Sequence, residues 1–350
     1  MQTLLGIIFH TIGGVSSGSF YMPFKKVKQW SWETYWIVGG LFSWLIVPPL
    51  AAWWTVPGFG DIIRETASST KGLIYGLGVL WGIGGLTYGL GVRYLGMSLG
   101  NSVILGVSSA LGSLGPAVYY NFYPVAGKES LSDMLTTLGG QVVLLGILVC
   151  LVGIYVSGLA GMKKEGELSS EAKQESTSEF NFGLGIVIAV VSGLLSAFFN
   201  FGIEAGKPMA DVAVAQGHNP LFQNNVTYVV LLWGGLTTNL IWCLYLNVKN
   251  GSYREYTDRK KPIMSNVFFA GLAGTMWYIQ FFFYGMGESK LGNGASSWIL
   301  HMATIILTAN FWGLYLKEWK AVSRSTFKTF LLGIGLILLS IFLVGIGNSI

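Results

Sequence analysis

The stretch GTMWYIQFFFYGMGESKLG, residues 274–292, places Trp277, Gln280 and Tyr284 at spacings of three and four. Residues so spaced share a helix face. One face would then present an aromatic plate, an amide with two donors and two accepting lone pairs, and a phenolic hydroxyl. That set suits a ligand with an apolar edge and several hydroxyls. The surrounding residues are too apolar for a soluble loop. An amide among lipid tails has no partner unless it faces the protein interior. Gln280 is therefore read as a ligand contact, with an interhelical hydrogen bond as the alternative.

Few other polar groups lie inside apolar runs. His10 and His301 titrate near neutral pH in water and could relay protons or hold a ligand. A bond to a neighbouring carbonyl is the bland alternative. Asn200, a turn after Ser196, looks along its helix toward Glu204 in AFFNFGIEAGKPM. Glu204 is read as the one carboxylate within an apolar run, the kind of group that carries a proton across a membrane. Lys207, three residues on, is its expected charge partner, and a structural salt bridge is the competing reading. Glu33 lies near Lys25, Lys26 and Lys28 and is a second coupling candidate. Its alternative is an interfacial ion pair or a favourable charge at a helix N-terminus. Arg93 and Glu318 read as anchors at span ends. No metal-ligand spacing, nucleotide-binding loop or nucleophile motif occurs. The expectation is no metal, no cofactor and no enzymatic activity.

Composition says what must position these groups. Of 350 residues, 52% are hydrophobic, 11% are charged and 49 are Gly. Soluble domains carry about 25% charged residues, so this chain cannot cover a soluble surface. A bilayer core of about 30 Å takes about 20 apolar residues per helix. Ten such runs are expected at 4–24, 34–54, 72–92, 99–120, 135–158, 182–205, 226–247, 265–286, 294–316 and 328–347. The fourth, rich in Gly and Ser, is the least distinct. The first has no basic leader before it and is read as a mature span. Trp30, Trp32, Trp53, Trp54 and Trp319 fit the aromatic belt at the membrane surface. Cys150 and Cys243 sit in apolar runs and read as buried hydrophobes. Basic residues are scattered among loops, which argues against nucleic acid despite a pI near 9.0. Nothing calls for an obligatory protein partner.

The loops after odd-numbered spans hold 16 of the 21 Lys and Arg residues. The positive-inside rule puts those loops in the cytoplasm and both termini outside. The segment MKKEGELSSEAKQESTSEF is polar and mixed in charge, and reads as a disordered linker over 159–181 between halves 1–158 and 182–350. Five spans per half is odd, so homologous halves would be inverted. Two ungapped matches support that. At a shift of 196, Gly78, Trp81, Ile83, Tyr88, Gly89, Gly91, Leu95 and Gly96 recur as Gly274, Trp277, Ile279, Tyr284, Gly285, Gly287, Leu291 and Gly292, 8 identities in 19. At a shift of 187, residues 144–158 match 331–345 in 7 of 15. Trp81 and Trp277 become mates near mid-span, read either as helix packing or as a wall for a sugar's apolar face. Gln280 has Gly84 as its mate. Inverted halves of this kind alternate access to a midplane site.

FYMPFKKVKQWSWETYW, LWGIGGLTYGLGVRYLGMSLG, EAGKPM, MWYIQFFFY, SWILHM and LKEW together resemble the L-rhamnose–proton symporter family of the drug/metabolite transporter superfamily. The similarity runs from His10 to about Trp319. It implies an all-α membrane protein of ten helices in two inverted halves, and uptake of a 6-deoxyhexose across the bacterial inner membrane driven by protons. Lys26, Glu33, Trp81, Arg93, Lys207, Trp277, Gln280, Tyr284, Trp298 and His301 match the family pattern. Glu204 stands where other members have an amide. Thr87 and the short GESKLGNGASSW segment also depart from the pattern. These departures leave the exact sugar open, and sodium stays open beside the proton as coupling ion. An exporter or exchanger of another metabolite is the alternative within transport.

Overall fold

The computed structural model describes residues 1–95, 97–124, 128–167, 181–317, 319–320 and 322–350. Ten of its helices are long and apolar enough to cross a membrane. They are α1 (Gln2–Phe24), α2 (Trp32–Thr55), α3 (Ser68–Val92), α4 (Gly100–Phe122), α5 (Leu138–Lys164), α6 (Gly183–Ala215), α7 (Pro220–Asn250), α8 (Ile263–Leu291), α9 (Gly294–Tyr315) and α10 (Arg324–Gly347). All ten expected spans are present, and the chain is an all-α integral membrane protein. Helices are forced here because lipid offers backbone groups no hydrogen-bond partner. Leu148, Tyr155, Leu338 and Phe342 stay exposed on the outside of the bundle, where lipid tails take the place of a core.

The main packing pairs are α5 with α10, α3 with α6 and α7, α8 with α1 and α2, α2 with α7, α4 with α5, α6 and α9, and α9 with α1. Small residues set the closest crossings, as expected where packing rather than water drives association. A Cβ on Gly78 of α3 would run into the Leu231 carbonyl of α7, and one on Gly234 of α7 into the Tyr75 carbonyl. A Cβ on Gly274 of α8 would run into the Gly39 carbonyl of α2. Along α5 and α10, Gly139 meets Gly347, Gly153 meets Ile337 and Ser157 meets Gly333.

Several local features depart from the sequence reading. Residues 41–46 of α2 form a π-helical segment, Leu41–Ile46. Pro48 and Pro49 follow it and offer no N–H to the carbonyls one turn back, so the ladder widens. The first helix of α6 ends at Ala205, where the sixth run was expected to end, but after Gly206 a further short helix, Lys207–Ala215, follows. A short helix Leu131–Thr136 precedes α5, its start fixed by a capping box between Ser130 and Asp133. The helix of α5 continues to Glu167, so the first residues of the expected linker are helical. Glu167 accepts from the Ser323 N–H at 2.6 Å and from Thr326 Oγ1 at 2.6 Å, tying that extension to the start of α10. The remainder of the expected linker, 168–180, lies outside the described residues, as do Glu318 and the Arg93 side chain.

Trp30 is buried rather than in the aromatic belt, and its Nε1 donates to the Glu255 carbonyl at 3.2 Å. Glu33 sits in the first turn of α2, as the helix-terminus reading required. The other alternative, an interfacial ion pair, gives way to bonds from neutral groups. Glu33 accepts from Ser252 Oγ at 2.6 Å and Asn250 Nδ2 at 3.0 Å. The short helix Ser252–Tyr256 brings these groups there. Glu255 clamps the same helix start, accepting from the Ser31 N–H at 2.7 Å and from Lys261 at 3.1 Å. Burial pushes the Glu255 carboxyl up, but the bonds from Ser31, Thr34 and Lys261 outweigh it and hold it below its usual range. Cys150 and Cys243 are unbridged and buried, as expected.

Candidate functional site

Helices α1, α2, α3, α6, α8 and α9 converge on a column of aromatic and polar side chains. At its middle, Trp81 and Trp277 lie 5.5 Å apart, ring to ring. The structure thus brings together the two tryptophans that the sequence paired. Trp44 adds its edge to both, at 6.2 Å from Trp81 and 5.9 Å from Trp277. It projects from the π-helical segment, is buried, and its Nε1 has no hydrogen-bond partner. Phe199 and Phe281 stack beside the trio at 4.0 Å. A hexose between two ring faces needs two van der Waals gaps of about 3.5–4.0 Å each. Trp81 and Trp277 touch each other more closely than that, so in this conformation they close against one another.

One turn along α8, Gln280 is buried and satisfied within the protein. Its Nε2 donates to the Trp277 carbonyl at 2.8 Å. That bond orients the amide and leaves Oε1 facing His301 Nε2 at 3.4 Å. His301 is thereby assigned its proton on Nε2, and its Nδ1 has no partner. The short bond of Gln280 is thus within α8, and its interhelical contact to His301 is long. The next turn carries Tyr284, with His10 and His301 each 5.2 Å from its ring. The two histidines are 6.0 Å apart, and neither nitrogen of His10 has a partner. Tyr284 donates to Asn200 Oδ1 at 3.0 Å, and Asn200 Nδ2 donates to the Gly112 carbonyl at 2.8 Å. Trp298 packs edge-on to Tyr284 at 6.0 Å and donates to the Ser108 carbonyl at 3.1 Å. Ser109, Ser113 and Ser297, beside this cluster in sequence, also hold buried hydroxyls without partners. Buried polar groups are nearly always bonded. Their concentration along these helices marks a place where water or a polyhydroxylated ligand can be accommodated.

The column ends in a crevice at each end. One is lined by Phe20, Phe24, Trp36, Ser43, Trp44 and Trp277. The other is lined by Tyr120, Lys128, Glu129, Glu204, Asn293 and Gly294. In the second, Glu204 accepts from Lys128 Nζ at 2.5 Å and Tyr120 at 2.6 Å. This corrects the expected pairing with Lys207, which instead pairs with Asp211 one turn along its own helix. The break at Gly206 puts Lys207 on a new helix, so i+3 spacing no longer implies a shared face. Burial lowers the Lys128 ammonium, but the carboxylates of Glu204 and Glu288 more than offset that and hold it above its usual range.

Glu288 is a residue that sequence reasoning missed. It lies on α8 within an apolar helix, accepts from Asn224 Nδ2 at 2.6 Å, and is within electrostatic reach of Glu204 and Lys128. The signal was present. Gln280, Tyr284 and Glu288 are spaced by four, continuing one face. Trp44 was missed too, although a Trp one turn before a Pro-Pro pair marks a ring at a disturbed ladder. The structure brings Trp81, Trp277, Gln280, Tyr284, His10, His301, Trp298 and Asn200 together. Glu33 lies apart, with Asn250 and Ser252.

The family model described as L-rhamnose-proton symport protein (RhaT) matches residues 1–350. A protein named L-rhamnose-proton symporter from Pectobacterium carotovorum subsp. carotovorum (strain PC1) is 39% identical over 351 residues, covering 99% of this chain and 98% of that protein. One of the same name from Yersinia pestis (strain Pestoides F) is 37% identical with the same coverage. A solved crystal structure of a protein 14% identical in sequence aligns with a TM-score of 0.50 over 98% of this chain and 96% of that one, a likeness of fold alone. With ten apolar helices around a closed aromatic and polar column, and a family match end to end, the chain belongs to the L-rhamnose-proton symport family, a family of transporters and not of enzymes.

Proposed function

We propose that this protein imports L-rhamnose together with a proton across the bacterial inner membrane by alternating access. The observation that carries the site is the convergence of Gln280, Tyr284, His301, His10 and Asn200 beside the Trp44–Trp81–Trp277 cluster. Rhamnose presents a methyl edge and hydroxyls, and an aromatic plate beside an amide and two imidazoles solvates both. Trp298 and the plate of Trp81 and Trp277 shape the site, and its opening requires those rings to separate.

The halves 1–158 and 182–350 act as inverted repeats in this reading. What supports it is the packing order. Advancing each helix number by five turns the pair α3–α6 into α8–α1, α3–α7 into α8–α2, and α4–α6 into α9–α1, all of which occur. The close crossings obey the same rule, since Gly78 against α7 has its counterpart in Gly274 against α2. The distribution of Lys and Arg puts both termini outside, so the Glu204 crevice opens outward and the Trp36 crevice inward.

Uptake of labelled L-rhamnose into vesicles is expected to rise several-fold when an inward proton gradient is imposed. Uptake indifferent to any ion gradient would sink symport, and a sodium gradient serves as the comparison. Trp277→Ala and Gln280→Ala are expected to weaken L-rhamnose binding by ~1–3 kcal/mol each, the worth of a stacking surface or a buried hydrogen bond. Wild-type affinity in both well-folded variants would move the site elsewhere.

A further inference from the structure

We infer that Glu288 is the group that takes up the transported proton, and that its charge governs closure of the Lys128–Glu204 latch at the outer crevice. The inference rests on the symport reading above and names the residue that performs the coupling.

Geometry singles out Glu288. It continues the Gln280–Tyr284 face of α8 by one turn toward the crevice, so the same helix face carries the sugar contacts and the carboxylate. Asn224 of α7, itself buried, donates to it at 2.6 Å. Two glycines in the turn before the acid, Gly285 and Gly287, admit two buried polar rings. The Tyr228 hydroxyl lies 3.1 Å from a Cβ built on Gly285, and His10 Nε2 lies 2.6 Å from one built on Gly287. Both rings are fully buried, and Tyr228 Oη and both His10 nitrogens lack hydrogen-bond partners. An apolar helix with two unpartnered proton-bearing groups pressed against it, next to a carboxylate, is built for more than packing.

The charges around it complete the case. From α6, Glu204 and Lys207 face Glu288; from the α4–α5 connection, Lys128 does. Tyr120 of α4 and Tyr228 of α7 are also within its field. On its own helix stand Tyr284 and Lys290. From α1 comes His10, and His301 of α9 reaches Tyr284 rather than the acid. α2 packs on α8 at Gly274, several turns away. Lys207 is engaged by Asp211. Lys128 is therefore the cation that Glu204 and Glu288 share. When both acids are ionised, their like charges oppose each other across one ammonium. A proton on Glu288 removes that repulsion and leaves Lys128 to Glu204.

The step balances simply. Hydronium at the outer crevice gives a proton to a Glu288 carboxylate oxygen: one O–H bond of the hydronium breaks, leaving water, and one forms on the carboxyl. Lys128 and Glu204 then close over the loaded site. When the opposite crevice opens, that O–H bond breaks and the proton leaves to water on the inner side.

The test uses the full-length protein, purified and weakly buffered, with a pH dye reporting protons and tryptophan fluorescence reporting L-rhamnose binding. The wild-type protein is expected to take up protons on sugar addition. Glu288→Gln is expected to bind L-rhamnose with that proton uptake lost, and in vesicles to exchange sugar without accumulating it along a proton gradient. Glu204→Gln is expected still to take up a proton on sugar addition, with the pH midpoint moved downward because the like charge opposing an ionised Glu288 is gone. Asn224→Ala removes a donor from the carboxylate, so the pH midpoint of uptake moves upward. Undiminished proton uptake in Glu288→Gln, or an unshifted midpoint in Asn224→Ala, overturns the assignment while leaving symport intact. Should Glu288→Gln fail to fold, the Asn224→Ala midpoint decides alone. A wild-type protein that binds L-rhamnose with no proton uptake at any pH overturns symport, and this assignment with it.

Discussion

Replacing Gly274 with Val is expected to prevent the protein from reaching a stable fold. The glycine sits where α8 crosses α2, and any Cβ there overlaps the Gly39 carbonyl oxygen. Backbone cannot step aside as a flexible side chain can, so the two helices must part along their length. Overpacking in a rigid core costs about 1–3 kcal/mol and sometimes more, and a backbone collision belongs at or above the top of that range. Domains are stable by about 5–15 kcal/mol in all, so a loss of this size is a large share. The measurement is thermal unfolding of detergent-purified protein beside the yield of monodisperse material. Gly76→Ala is the contrast. Its added Cβ meets nothing within 4 Å, and Ala is favoured over Gly in a helix by about 1 kcal/mol. Gly76→Ala should therefore unfold no earlier than wild type. Equal melting temperatures for Gly274→Val and Gly76→Ala would show that the crossing is not as close as described.

Glu204→Gln is the second large effect. The Lys128–Glu204 side chains are only 16% and 9% exposed. Removing one member of a buried pair leaves an uncompensated charge, at about 3–5 kcal/mol. Because Lys128 keeps some solvent contact and Glu288 nearby, about 3 kcal/mol is expected, as an earlier unfolding transition. Lys128→Met should cost a similar amount. The double variant should cost clearly less than the two together, since neither charge is then orphaned. Strict additivity would mean that the pair contributes nothing as a pair.

The ten spans were legible in the sequence because a membrane-spanning helix announces itself by length and apolarity, and little else can satisfy backbone groups in lipid. The pairing of Trp81 with Trp277 followed from the internal match, whereas the bond of Tyr284 to Asn200 did not, because no spacing links α8 to α6. What stayed hidden was non-local. Lys128 lies in a connection far from Glu204 in sequence, and no periodicity links the two. Lys207 looked like the partner only because i+3 spacing was carried past residue 205, where the expected sixth run itself ends. The eighth run ends at residue 286 by apolarity, short of Glu288, whereas α8 extends to Leu291 and carries Glu288 on the site face. Trp44 depends on a local widening of the helix, and hydropathy cannot register that.

That widening has a mechanical consequence. Pro48 and Pro49 can give no N–H to the carbonyls of Trp44 and Leu45 however α2 is shaped. Bending the helix at that point therefore sacrifices no bond that a straight helix would have kept. Where no proline interrupts it, a helix of this bundle bends only by breaking intact i→i−4 pairs in lipid; Pro116 of α4 is another interruption, and there Asn200 Nδ2 already bonds the freed Gly112 carbonyl. α2 thus contains a hinge of low resistance, and the ring mounted on it is Trp44, which touches both Trp81 and Trp277. A few degrees of flexion there swing an indole that wedges the two halves' tryptophans together, so the stiffness of two prolines sets how readily the centre of the molecule can be prised apart.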